Sequence, residues 1–133
     1  MKIESIKFKA KRLDGKGWVC GYFYEENGNT YIIENRQKES KLNRNLTYQV
    51  DPSTVCMFTG LKDCEGNEIW EGDILQDVDD DNIKYVVTFN EGTFLARKEG
   101  FYIGIPLHEC VGSLGNDVVT YAKVVGNKFD KKE

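Results

Sequence analysis

No stretch of this chain approaches the roughly 18 consecutive apolar residues that a membrane-spanning helix needs. There is one histidine, His108, and the four cysteines, Cys20, Cys56, Cys64 and Cys110, include no Cys-x-x-Cys pair. Each shortage excludes or disfavours a class of function. The opening residues Met1 to Lys7 hold no apolar run long enough for a secretion signal, so the expectation is a cytoplasmic protein with reduced thiols. Structural zinc sites draw their ligands in closely spaced pairs. Here only His108 and Cys110 are close, so a zinc site assembled from Cys20, Cys56, Cys64, Cys110 and His108 is disfavoured and no metal or other cofactor is expected. A cysteine nucleophile needs a base and an orienting group. Cys56 or Cys110 with His108 is the only formal pair, and no nucleophile elbow or oxyanion loop accompanies it. The cluster Gly15-Lys16-Gly17 is too short for a phosphate-binding loop and does not open a helix. No catalytic residues are expected.

What the chain does have fits a small globular protein. Its 133 residues predict one domain with a sizeable core. A hydrophobic fraction of 40%, an aromatic fraction of 12% and a charged fraction of 30% describe a packed interior under a well-solvated surface. The net charge of −4 supplies no global field for nucleic acid or anionic membrane, which leaves room only for a local basic patch.

Period-two alternation dominates. Ile6, Phe8 and Ala10 alternate with Lys7, Lys9 and Lys11, which predicts a strand with one buried and one cationic face. Trp18 to Tyr24 is aromatic and β-rich, with Trp18, Cys20 and Tyr22 on one face and Val19 and Phe23 on the other. Flanked by aromatics, Cys20 reads as a small core hydrophobe. Asn27-Gly28 predicts a tight hairpin turn into a strand over Thr30 to Glu34. Residues 35–47 read as a polar loop. After a short strand at Tyr48 to Val50, Asp51-Pro52-Ser53-Thr54 predicts a capped helical turn. Strands are expected at Val55 to Gly60 and Glu68 to Val78, around a loop centred on Asp63-Cys64-Glu65-Gly66-Asn67 in which Gly66 takes positive φ. An acidic turn, Asp77 to Asn82, follows. Its carboxylates fail the calcium-loop pattern, since Asn82 stands where glycine and Thr88 where glutamate is required. Further strands are expected at Lys84 to Phe89, Thr93 to Lys98, Phe101 to Ile105 and Val118 to Val125. Leu107 to Leu114 is ambiguous and can hold a short helix. Residues 128–133 read as a frayed charged tail. No sustained helical period and no internal repeat occurs. The fold class is all-β: a small barrel-like or sandwich domain of short antiparallel strands with at most short helical turns.

The segment Val50-Asp51-Pro52-Ser53-Thr54-Val55 leads into Phe58-Thr59-Gly60-Leu61-Lys62-Asp63, then Gly66, Glu68-Ile69 and Glu71-Gly72-Asp73-Ile74. This series resembles the signature of the YopX family, small proteins of phages and prophages. Phe8-Lys9-Ala10, Trp18-Val19 and Gly21-Tyr22 are similar to that family's opening strands, and Val124-Val125-Gly126-Asn127 to its last. The resemblance spans nearly the whole chain: N-terminal strands over 1–34, the polar loop over 35–47, a motif-bearing β core over 48–127 and the tail. Cys64 stands where the family commonly has lysine, and the tail departs from the asparagine and proline that often follow the last strand. The resemblance implies a mainly β domain encoded by a mobile element, and carries no biochemical role with it.

Thr59, Gly60, Leu61, Asp63, Gly66, Glu68, Ile69, Gly72, Asp73 and Ile74 are read as structural, because glycine and aspartate at turns need no ligand. The leading functional expectation is a non-enzymatic module acting through protein contacts or self-assembly. The alternative is nucleic-acid binding through Lys7, Lys9, Lys11, Arg36, Lys38, Lys41 and Arg44, with Tyr22, Tyr24 and Tyr31 as stacking surfaces. Against that alternative, edge lysines also serve to block sheet aggregation. An enzyme of unknown chemistry is the third reading.

Overall fold

The computed structural model describes residues 5–34, 46–90, 92–98, 104–106, 110–111, 116–117 and 122–130. Among these, strands and turns account for the structure, with the short 3₁₀ turn Pro52–Thr54 and no α-helix. The all-β expectation therefore holds. The chain divides into two compact units, Met1–Phe58 and Thr59–Glu133.

In the first unit, β1 (Phe8–Lys11), β2 (Trp18–Glu26), β3 (Asn29–Glu34), β4 (Thr47–Val50) and the start of β5 (Cys56–Lys62) form an antiparallel sheet in the order β4-β3-β2-β1-β5. The β2–β3 hairpin turns at Asn27 and Gly28, both with positive φ (52° and 82°), the two-residue geometry that matches strand twist. Register places Ala10 opposite Val19, Phe23 opposite Ile32 and Thr30 opposite Val50. Ala10, Val19, Ile32 and Val50 make the core, with Phe8, Tyr48 and Val55 packed against it. Gly21 is where β2 and β3 approach most closely. A Cβ there would lie 1.9 Å from the Ile33 carbonyl oxygen, so any side chain forces the strands apart. The exposed edge of β4 is met by the chain beyond β1. Arg12 bridges Val50, the Leu13 N–H donates to the Gln49 carbonyl at 3.0 Å, and the Asp51 N–H donates to the Lys11 carbonyl at 2.9 Å. This is an isolated bridge and not a ladder, so the sheet curls without becoming a closed barrel. Pro52–Thr54 forms the expected turn, with Asp51 accepting from the Ser53 N–H at 3.0 Å.

Three readings need correction here. Ile6, assigned to the buried face, is 39% exposed. Cys20 is exposed and not in the core. Alternation defines two faces of β2 without saying which is inward, and the register puts Val19 and Gly21 on the core side. The polar loop also ends sooner than expected, since Thr47 opens β4 and the Leu46 carbonyl accepts the Glu34 N–H at 2.8 Å.

In the second unit, the latter half of β5 pairs with β6 (Glu68–Trp70). β7 (Asp73–Asp77), β8 (Lys84–Asn90), β9 (Thr93–Lys98), β10 (Gly104–Pro106) and β13 (Ala122–Asn127) form an open antiparallel sheet in the order β10-β9-β8-β7-β13. Ile69, Leu75, Tyr85, Val87, Ala96 and Ala122 are its core. Gly66 has φ of 86°, as expected for the β5–β6 loop. The expected strand Glu68 to Val78 is instead two strands broken at Glu71–Gly72. Gly72 has φ of 87°, and a Cβ there would sit 3.2 Å from the Asn127 amide nitrogen, so the chain reverses where only glycine is unstrained. Within the ambiguous Leu107 to Leu114, Cys110–Val111 is a strand, β11, paired with β12 (Asn116–Asp117). The tail is anchored at its start. Lys128 donates its N–H to the Gly72 carbonyl at 2.8 Å, and the N–H groups of Phe129 and Asp130 return to Asn127. No helix among the described residues is long and apolar enough to cross a membrane.

Candidate functional site

The motif residues from Thr59 to Ile74 lie in the second unit, and the side chains of Thr59, Asp63 and Asp73 are consumed by the fold. Asp63, in the turn after β5, is buried. Its carboxylate accepts the N–H groups of Glu65 (2.9 Å), Asn67 (2.8 Å) and Val124 (2.8 Å), with the Asn67 amide at 3.2 Å. Burial pushes its pKa up, but the Val124, Asn67 and Glu65 amides outweigh that and hold it below the usual carboxylate value. The Val124 N–H belongs to β13, and the Cys64 N–H donates to the β13 carbonyl of Ala122 at 3.3 Å. The motif loop thus occupies polar backbone groups of an outer strand, which a sheet must cover or charge.

A second clamp closes the Glu71–Gly72 reversal. Asp73 accepts the Trp70 N–H at 2.7 Å and the Asn127 amide at 2.9 Å, and that amide also reaches the Glu71 carbonyl at 3.3 Å. Thr59 works the same way, donating to the Ile69 carbonyl at 2.7 Å and accepting the Leu61 N–H at 3.1 Å. Leu61 packs against the core that contains Ile69. Asn127 joins the motif as a residue that residue-type reasoning did not single out, although the closing Val-Val-Gly-Asn was visible as sequence.

The acidic turn after β7 is closed by its own side chains. Asp77 accepts the Asp79 N–H (2.7 Å), Asp80 the Asn82 N–H (2.9 Å) and Asp81 the Gln76 amide (3.1 Å). Among the described residues no cluster of His, Cys, Asp or Glu is arranged to hold a metal ion. Cys56 is fully buried, and its thiol donates to the Thr54 carbonyl at 3.2 Å. His108 lies outside the described residues, so the Cys–His pairs stay undescribed.

The first unit presents a different kind of surface. Strand alternation and register bring Lys7, Lys9 and Lys11 onto the sheet face away from the core. Lys9 stands opposite Cys20, Lys11 opposite Trp18, and Tyr24 opposite Tyr31. Of the seven cations proposed from sequence, these three come together there, while Arg36, Lys38, Lys41 and Arg44 fall outside the described residues. The Lys7 ammonium lies 4.7 Å from the Phe58 ring centroid, Lys9 4.7 Å from that of Trp18, and Lys11 5.6 Å from the same indole, all within cation–π range. Tyr24 and Tyr31 stack with centroids 5.1 Å apart and planes 19° apart. Trp18, Tyr22 and Tyr31 are half-buried, and Tyr24 and Cys20 are exposed. A groove of about 450 Å³ runs over Trp18, Cys20 and Tyr22, with Lys7 and Glu34 also lining it. Arg12 is held elsewhere, against the Tyr48 ring and in an ion pair with Asp14.

Set against known proteins, the chain matches a family model described as YopX protein over residues 7–133. No curated protein sequence matches it.

Proposed function

The chain belongs to the YopX family, and we propose that it is a non-enzymatic binding module of phage or prophage type. It would work in the bacterial cytoplasm and contact other macromolecules through the lysine–aromatic face of its first unit. One observation carries this reading. Thr59, Asp63 and Asp73 of the second unit's motif are engaged in internal hydrogen bonds, whereas Trp18, Cys20, Tyr22, Tyr24 and Tyr31 share a face that is at most half-buried. Aromatic side chains combine large contact area with little conformational entropy to lose, which suits a recognition surface and not a catalytic one.

Site-specific photo-crosslinking in cells that carry the parent element tests this. A photoreactive phenylalanine analogue replacing Tyr24 or Tyr31 should capture a macromolecule, protein or nucleic acid. The same analogue at Asn82, in the acidic turn, should not. Capture from Asn82 with none from Tyr24 or Tyr31 would overturn the assignment of the face.

A further inference from the structure

We infer that the lysine–aromatic face of the first unit is a site for single-stranded nucleic acid, with Tyr22, Tyr24 and Tyr31 stacking against bases and Lys7, Lys9 and Lys11 contacting phosphates. The inference rests on the binding-face reading above and names the ligand that reading leaves open.

The first ground is placement. Charge and aromatic surface could lie anywhere on a folded chain, but here the register of β1 with β2 and of β2 with β3 puts them side by side on one sheet face. That is the combination single strands need: cations for the backbone and ring faces for the bases. The chain's net charge of −4 is a sum over all its residues and does not set the local field beside these lysines.

The second ground is spacing. Tyr22 and Tyr24 are two residues apart on one strand, which separates their attachment points by about 6.7 Å. Consecutive nucleotides of a duplex strand rise by about 3.4 Å. Bases resting on successive tyrosines are therefore too far apart to stack on each other as they do in a duplex. The face fits an extended, unstacked strand, whose exposed bases are also the form in which base faces can be reached.

The third ground is the state of the side chains before a ligand arrives. The lysine ammoniums rest over aromatic rings at 4.7 to 5.6 Å, so their stems are already directed along the face. For Lys9 and Lys11, whose ring is the half-buried Trp18, a charge-assisted bond to phosphate is stronger than the cation–π contact itself. A phosphate that recruits Lys9 and Lys11 would leave the Trp18 ring face open to a base. The near-parallel Tyr24–Tyr31 pair is already ordered, so little side-chain freedom remains to be lost on stacking.

Fluorescence anisotropy with the full chain and labelled oligo(dT) and oligo(U) of about 16 nucleotides tests the proposal. Three phosphate contacts on a single strand predict a slope of log K against log salt near −2, so affinity should fall about 20-fold between roughly 50 and 200 mM salt. Changing Lys7, Lys9 and Lys11 together to glutamine should flatten that slope towards zero. The double variant Tyr24→Leu/Tyr31→Leu should lose about 10-fold or more in affinity, while Tyr24→Phe/Tyr31→Phe keeps it within about 3-fold, because a base needs the ring and not the hydroxyl. Melting curves identify variants that have lost the fold. Binding weaker than roughly 100 μM at low salt, or binding that survives the lysine changes, overturns the proposal. If the leucine pair instead abolishes self-association or a salt-insensitive protein contact, nucleic acid is excluded while the binding face stands. If the face variants change no association at all, both readings fall.

Discussion

The two units bury different chemistry. In the first, the described buried side chains are apolar apart from Thr30 and Thr54, and Lys7, Lys9 and Lys11 sit on the sheet's other face. In the second, Asp63, Asp73 and Asn127 are inside, each held by several hydrogen bonds. A core made by alternation accepts many side chains of suitable size. A core made by hydrogen bonds accepts few, because a buried carboxylate must find its donors at fixed distances. The second unit thus demands particular residues at particular positions for its own folding. The core of the first unit demands mainly a pattern, with particular residues confined to its turns and to Gly21.

The comparison breaks most directly through stability. Asp73→Ala strands the Trp70 N–H and leaves the Asn127 amide only its longer bond to the Glu71 carbonyl, and Asp63→Ala strands three backbone N–H groups. Each should cost about 3 kcal/mol or more, read as a lowered urea midpoint. In the first unit a backbone clash should match that. Gly21→Ala is expected to cost about 3 kcal/mol, because the atom its Cβ meets at 1.9 Å is a backbone oxygen that cannot turn aside. If Asp63→Ala shifts the midpoint no more than an ordinary surface change, the second unit's dependence on its polar clamps is wrong.

A pH series sharpens the same contrast. The folded pKa of Asp63 lies below its unfolded value of about 3.9, despite burial, because the Val124, Asn67 and Glu65 amides favour the carboxylate. Its stabilisation is therefore fully present well above pH 4 and is lost as pH falls through the folded pKa. Urea midpoints should be level from pH 7 to pH 5 on this account and should drop by pH 3. In Asp63→Asn, which has no charge to lose, the drop should be smaller.

Thiol labelling in a Cys110→Ser chain reads the two surfaces next. Cys20 and Cys64 should react in the native state, and Cys56 only on unfolding. Desolvation, then the Asp63 and Glu65 carboxylates, raise the Cys64 pKa, so its labelling should keep accelerating with pH beyond the ordinary thiol value. Native-state protection of Cys20 would mean that the first unit's outer face is covered. The smallest stability effect should come from that face itself. Lys9→Gln removes a cation–π contact worth about 0.5–1 kcal/mol, and its larger consequence should appear in binding. A greater loss of stability would make Lys9 part of the fold.

Much of the local structure was legible in the chain. Asn27-Gly28 and the Asp63 to Asn67 loop announced their turns because positive φ restricts which residues can stand there. Asp51-Pro52 announced a capped turn for a similar reason. The break at Glu71–Gly72 was harder, because Glu68 to Val78 carries a continuous apolar rhythm. Only the bonds from Asp73 and Asn127 show that the chain reverses there. The candidate face was half legible. The alternating lysines were plain, but Trp18 and Cys20 were assigned inward, since an aromatic run reads as core when its neighbours across the sheet are unknown.

Taken alone, the order of residues determined the fold class, the strand rhythm, the turns and the family. All of these depend on interactions within a few residues of one another, or on a pattern that local sterics enforce. Tertiary structure decided which face of β2 points inward, that the Asp63 loop clamps β13 61 residues away, and that lysines and tyrosines from three strands share one surface. Those outcomes depend on strand register. Register is set by how distant segments bury their apolar faces together and satisfy their backbone groups, and no window of sequence contains both partners.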